Sequence, residues 1–111
     1  MLVEFELNGQ KYSGLNGGPL YKFTEAISIV VPCADQAEVD HYSSSLIAGG
    51  GRENVCGWLY DKYGLCWQIV PAVFFDMLKD PHQGRADRVV AAMMQMTKFD
   101  IAALEQAYAG G

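Results

Sequence analysis

The sequence predicts an α+β fold. Three observations carry this. Val3-Glu4-Phe5-Glu6-Leu7 alternates apolar and acidic residues, the period of a half-exposed strand. Between Glu25 and Pro71 a strand, an amphipathic helix and a β-hairpin follow one another. After Pro71 the apolar residues recur at helical spacing.

Taken in order, the Val3–Leu7 strand meets Asn8-Gly9, a dipeptide suited to a two-residue hairpin turn. A second strand returns over Lys11–Leu15 and is broken by Asn16-Gly17-Gly18-Pro19. Glu25–Val31, rich in Ile and Val, reads as a strand ended by Pro32. Asp35 and Glu38 have capping-box spacing, the Asp carboxylate facing the Glu38 amide. Val39, Tyr42, Leu46 and Ile47 then define one helix face, and Gly49-Gly50-Gly51 ends it. Val55–Tyr60 and Leu65–Val70 form the hairpin around Asp61-Lys62-Tyr63-Gly64. Helical sequence follows over Val73–Leu78, Arg85–Thr97, and from the cap Asp100 to Gly110-Gly111. Met93 and Met96 share the Val89 face, as helix-packing residues do.

The 111 residues suit a single domain: a hairpin over 1–18, a β-α-β-β-β-like module over 25–71, and helices over 72–111. Half the residues are hydrophobic and 19% are charged, a globular composition. The 13 acidic and 8 basic residues give −5, and no basic run exists, so nucleic acid is not an expected partner. No apolar run approaches a membrane span, and Met1 leads straight into strand-like sequence, so a cytoplasmic protein is expected. Cys33, Cys56 and Cys66 are an odd count without C-x-x-C spacing, which suits a reducing compartment.

Hairpin parity predicts which side chains share a face. A four-residue loop over Asp61–Gly64 sets Tyr60 opposite Leu65, Trp58 opposite Trp67, and Cys56 opposite Ile69. The bulky face with both tryptophans is expected under the helices. Gln68, beside Cys66, is then the one polar side chain turned to the other side.

Several segments, in order along most of the chain, resemble a known family. They are Leu15–Pro19, Lys22–Ser28, Gln36–Asp40, Cys56-Gly57-Trp58, Asp61–Gly64, Trp67–Pro71 and Asp100–Leu104. They are similar to the vicinal-oxygen-chelate superfamily, which includes glyoxalases and extradiol dioxygenases. Within it they resemble the PhnB-like branch, which carries the name 3-demethylubiquinone-9 3-methyltransferase. The resemblance implies a β-α-β-β-β module, here with two preceding strands and C-terminal helices. Relatives have two such modules curled around one cavity, so this chain looks N-terminally shortened. A homodimer is the expected remedy for the open sheet edges; a truncated gene product is the alternative.

The resemblance also places the relatives' metal ligands. The carboxylate position falls on Gln68, and the first-strand ligand on Ala26 or, two residues on, Ser28. None of these holds a divalent metal well, so neither metal nor cofactor is expected. A strand leading into a glycine-rich turn and helix, as a nucleotide-type cofactor requires, is also missing. The candidate binding set is Gln68, Ser28, Cys66, Thr24 and Asn16, neutral polar groups in an expected apolar cup. No catalytic residue stands out. The expected function is metal-independent binding of a small molecule. A metal-dependent lyase, isomerase or oxygenase completed across a dimer is one alternative, and a remnant scaffold without ligand is another.

Overall fold

The computed structural model describes residues 1–110. Strands β1 (Leu2–Leu7) and β2 (Gln10–Leu15) form the N-terminal hairpin. Asn8 and Gly9 turn it at φ 50° and 82°, the paired left-handed geometry that matches strand twist. After a connection come β3 (Ser28–Cys33), α1 (Gln36–Ile47), β4 (Arg52–Glu53), β5 (Trp58–Tyr60) and β6 (Cys66–Pro71). These strands make one sheet in the order β3-β6-β5-β4, with β3 parallel to β6 and the other pairs antiparallel. Helices α2 (Ala72–Leu78), α3 (Gln83–Met93) and α4 (Ile101–Ala109) complete the chain.

Local chemistry sets the boundaries. The Asp35 carboxylate accepts the Glu38 amide at 2.9 Å, and Glu38 accepts the Ala34 amide at 2.7 Å. The helix buries Val39 and Ser43, with Leu46 and Ile47 packed on the core; Tyr42 is more exposed than its spacing predicts. Asp100 caps α4 by accepting the Ala103 amide, and Gly110 ends it in the left-handed region. Gln36 bridges two elements. Its Nε2 donates to the Phe99 carbonyl at 2.9 Å, and its Oε1 accepts the Ile101 amide at 2.8 Å.

The core lies between the α1-facing side of the sheet and the C-terminal helices. Val39, Leu59, Ile69, Val89, Phe99 and Leu104 are its largest fully buried members. Met93 packs against it, as its spacing predicts, and Met96 does so from beyond the end of α3. Cys56 and Gly57 take left-handed φ values of 59° and 81° in succession. Their amides donate to Met96 and Thr97, which ties the strand entry to the segment before α4. A Cβ on Gly57 would lie 2.5 Å from the Phe99 ring.

Four expectations are corrected. The strand predicted over Glu25–Val31 runs Ser28–Cys33, so Pro32 lies within it. β3 pairs only with β6, and an edge strand tolerates a residue lacking an N–H. The strand predicted over Val55–Tyr60 begins at Trp58, because Cys56 and Gly57 are left-handed. The helix predicted over Arg85–Thr97 spans Gln83–Met93. The hairpin register also differs. Five residues, Asp61–Leu65, separate β5 from β6, closed by an Asp61 amide to Leu65 carbonyl bond of 3.0 Å. An odd loop moves every pair by one: Trp58 faces Gln68, Leu59 faces Trp67, and Tyr60 faces Cys66. Trp67 keeps its place on the α1 side, its indole N–H bonded to Asp61 at 2.9 Å. Trp58 does not; it shares the face of Gln68.

The hairpin stands apart from this body. The radius of gyration is 16.2 Å, against about 13 Å for a compact chain of this size. Val3, Phe5, Leu7 and Tyr12 share one hairpin face by register, and all four are exposed. Phe5 and Tyr12 stack at 5.6 Å between ring centroids.

Candidate functional site

The sheet face turned away from α1 carries the chemistry. Register sets a row across all four strands: Arg52 on β4, Tyr60 on β5, Cys66 on β6 and Ser28 on β3. The next row holds Trp58, Gln68 and Val30. Gln68 reaches diagonally between rows, its Nε2 donating to Ser28 Oγ at 2.8 Å. Both side chains are half-buried, and Cys66 between them and Tyr60 is buried.

Tyr60 anchors the other end of the first row. Its hydroxyl donates to Glu25 Oε1 at 2.9 Å and accepts from Asn54 Nδ2 at 3.4 Å. The Arg52 guanidinium lies over its ring, 4.2 Å from the centroid. The carboxylate accepting its proton, then desolvation, raise the Tyr60 pKa. Glu25 is held below the usual carboxylate range, first by its backbone hydrogen bond and then by Tyr60. The proton therefore stays on the phenol at neutral pH. Burial, and then the Glu25 charge, push the Cys66 thiol up, so it is not a thiolate near neutrality. None of these shifts brings Glu25, Tyr60 or Cys66 toward neutral pH, where a general acid or base works best.

The five candidate residues separate spatially. Gln68, Ser28 and Cys66 come together on this face. Thr24 is exposed and lines an adjoining cavity of about 290 Å³ with Glu25, Arg52 and Tyr60. Asn16 closes the open end of the N-terminal hairpin, its amide bonded to the Met1 carbonyl at 2.9 Å. A larger groove of about 770 Å³ runs between the hairpin tip and β3, beside Trp67 and Tyr42, and does not include Gln68. Sequence reasoning missed Trp58, Tyr60, Arg52 and Glu25. The first two follow from an odd-length loop. Arg52 lies on a two-residue strand that no periodicity marks, and Glu25 lies outside the sheet.

A match to the family model described as 3-demethylubiquinone-9 3-methyltransferase covers residues 1–70. The chain belongs to this PhnB-like family. Among solved structures, this PhnB-like chain is similar to a putative 3-demethylubiquinone-9 3-methyltransferase, PhnB protein, from Bacillus cereus, at 30% identity and a TM-score of 0.59. The similarity covers 65% of this chain and 64% of that one, so the PhnB-like chain spans less than two thirds of that relative. The fold is therefore α+β of the vicinal-oxygen-chelate type. No curated protein matches the chain. No helix among the described residues is long and apolar enough to cross a membrane.

The fold family implies a divalent metal on this face, and the side chains there do not fit one. Gln68 and Ser28 are neutral and bonded to each other. No three His, Cys, Asp or Glu side chains converge among the described residues. His41 and His82 are exposed and belong to α1 and to the α3 cap.

Proposed function

We propose that the face around Gln68 and Ser28 binds an uncharged, polar part of a small molecule without metal. The observation that carries this reading is the 2.8 Å Gln68–Ser28 hydrogen bond, two neutral groups where the fold's metal chemistry needs anionic or imidazole donors. Gln68 keeps its Oε1 acceptor and second Nε2 proton, and Ser28 its hydroxyl proton. Trp58 and Val30 supply apolar surface in the neighbouring row. The methyltransferase name carries no mechanism to this site, since no glycine-rich strand–turn–helix accompanies the sheet among the described residues. Metal analysis of the purified chain, beside Gln68→Ala, tests the reading. Substoichiometric metal in both, with ligand-induced thermal stabilisation persisting in EDTA for the wild type alone, supports it. Stoichiometric zinc, nickel or iron within about 2.0–2.6 Å of Gln68 overturns it.

The partner proposed for the hairpin is a second copy of the chain. A two-stranded hairpin is marginal alone, and its Val3, Phe5, Leu7 and Tyr12 face is uncovered. Sedimentation at micromolar concentration should give a dimer for the wild type and a shift to monomer for Phe5→Lys. A stable wild-type monomer refutes the pairing. Free thiols at Cys33, Cys56 and Cys66 support a cytoplasmic location.

A further inference from the structure

We propose that the cavity beside the Gln68 face, at the β4 end of the sheet, takes the oxyanion head of a small organic acid or phosphate ester, with Arg52 and Lys62 as its counter-charges. The inference rests on the reading of this face as ligand-binding and adds a ligand class to it.

The cavity, about 290 Å³, is walled by Arg52, Lys62, Tyr60 and the Gly50-Gly51 turn. Its two cations are held by rings rather than by acids. The Arg52 guanidinium sits 4.2 Å from the Tyr60 ring centroid, and the Lys62 ammonium 5.1 Å from that of Tyr63. The ion pairs among the described residues are Arg85–Asp80 and Lys98–Asp40, so neither cavity cation has a carboxylate within 4.0 Å. A guanidinium held over a ring by one face keeps N–H donors for a second partner, in the fork that matches a carboxylate or phosphate.

The cavity's two acids already accept hydrogen bonds from the protein, and Arg52 is near enough to help lower the Glu25 pKa without pairing with it. Asp61 accepts the Tyr63 amide at 2.9 Å, the Leu65 amide at 3.0 Å and the Trp67 indole at 2.9 Å. Glu25 takes the Tyr60 hydroxyl at 2.9 Å. The glycine turn lets the chain approach closely. A Cβ on Gly51 would lie 2.4 Å from the Tyr60 carbonyl oxygen, and the Lys62 stem lies against Gly49 and Gly50. Tyr60 belongs to both the cavity wall and the row containing Cys66 and Ser28. An anion held by Arg52 would thus extend its body along the sheet toward Gln68.

The test is a ¹H–¹⁵N NMR titration of the wild type, Arg52→Gln, Arg52→Lys and Lys62→Gln, with benzoate, phenyl phosphate and benzamide as probes. Benzoate or phenyl phosphate should shift the Gly50 and Gly51 amides, and the tighter of the two identifies the head group. Arg52→Gln should weaken that binding about tenfold, the scale of one charge-assisted hydrogen bond. Arg52→Lys should restore part of it, and Lys62→Gln should weaken it severalfold. Benzamide, neutral and of the same shape, should leave Gly50 and Gly51 in place. Equal response to benzamide and benzoate, or unchanged affinity in Arg52→Gln, overturns the oxyanion site. If benzamide still shifts Gln68 and Ser28 in that case, the ligand face stands and only the oxyanion site falls. If no probe shifts either set, both fall.

Discussion

Gly57→Ala should be among the most destabilising single-methyl additions in the chain. The native φ of 81° is left-handed, which costs an L-residue about 1–2 kcal/mol. The added Cβ would also lie 2.5 Å from the Phe99 ring and 2.9 Å from the Ile69 carbonyl oxygen. Phe99 is 1% exposed and packed against Phe74 at 5.1 Å, so it has no room to withdraw. The Ile69 amide bonds the Gly57 carbonyl at 2.9 Å, so moving the backbone breaks a strand contact. Overpacking of this kind adds about 1–3 kcal/mol, for a total of about 2–5 kcal/mol. Gly64→Ala is the control. Its φ is 88°, and nothing lies within 4 Å of the added Cβ, so only the backbone cost applies. Urea denaturation followed by circular dichroism reads both. With a slope of about 1.5 kcal/mol/M, Gly57→Ala should lower the midpoint by roughly 1–3 M. A Gly57→Ala midpoint no lower than that of Gly64→Ala would refute the packing argument.

Three further outcomes follow from the same contacts. Gln36→Ala removes the bonds to the Phe99 carbonyl and Ile101 amide, at a cost of about 2 kcal/mol, or roughly 8–10 °C in Tm by calorimetry. Asp80 accepts the Tyr108 hydroxyl, the leading cause of its lowered pKa. A lowered folded pKa gives stability that is present above the unfolded value, about 4, and lost as pH falls through the folded one. Tyr108→Phe should therefore show a smaller loss of stability than the wild type as pH falls below about 4 in thermal melts. Trp67→Ala should cost about 3–5 kcal/mol in urea titrations, and Trp58→Ala distinctly less, because only Trp67 packs on the core.

The elements whose signals are local were legible in the sequence. Asn8-Gly9, the Asp35–Glu38 cap, Asp100 and Gly110 each act within a few residues and appear where their chemistry puts them. The face assignment of the hairpin was not, because it depended on one residue of loop length. Asp61 gathers the Tyr63 and Leu65 amides and the Trp67 indole, which keeps Leu65 in the loop. Composition does not reveal that side-chain choice, yet it moves Trp58 to the Gln68 face. Gln68 and Cys66 were placed together because both lie on one strand, whose alternation survives a register change. The Glu25–Tyr60 contact, 35 residues apart, has no periodic signature at all.

If Gln68 and Ser28 receive a neutral ligand group directly, with no metal between, the side-chain amide protons of Gln68 report it through ¹⁵N NMR, with a neutral amide added in the presence of EDTA. These resonances should shift saturably with the amide, and Ser28→Ala should weaken binding about fivefold to tenfold, the scale of one hydrogen bond. Resonances that respond only after zinc, nickel or iron is supplied would contradict it.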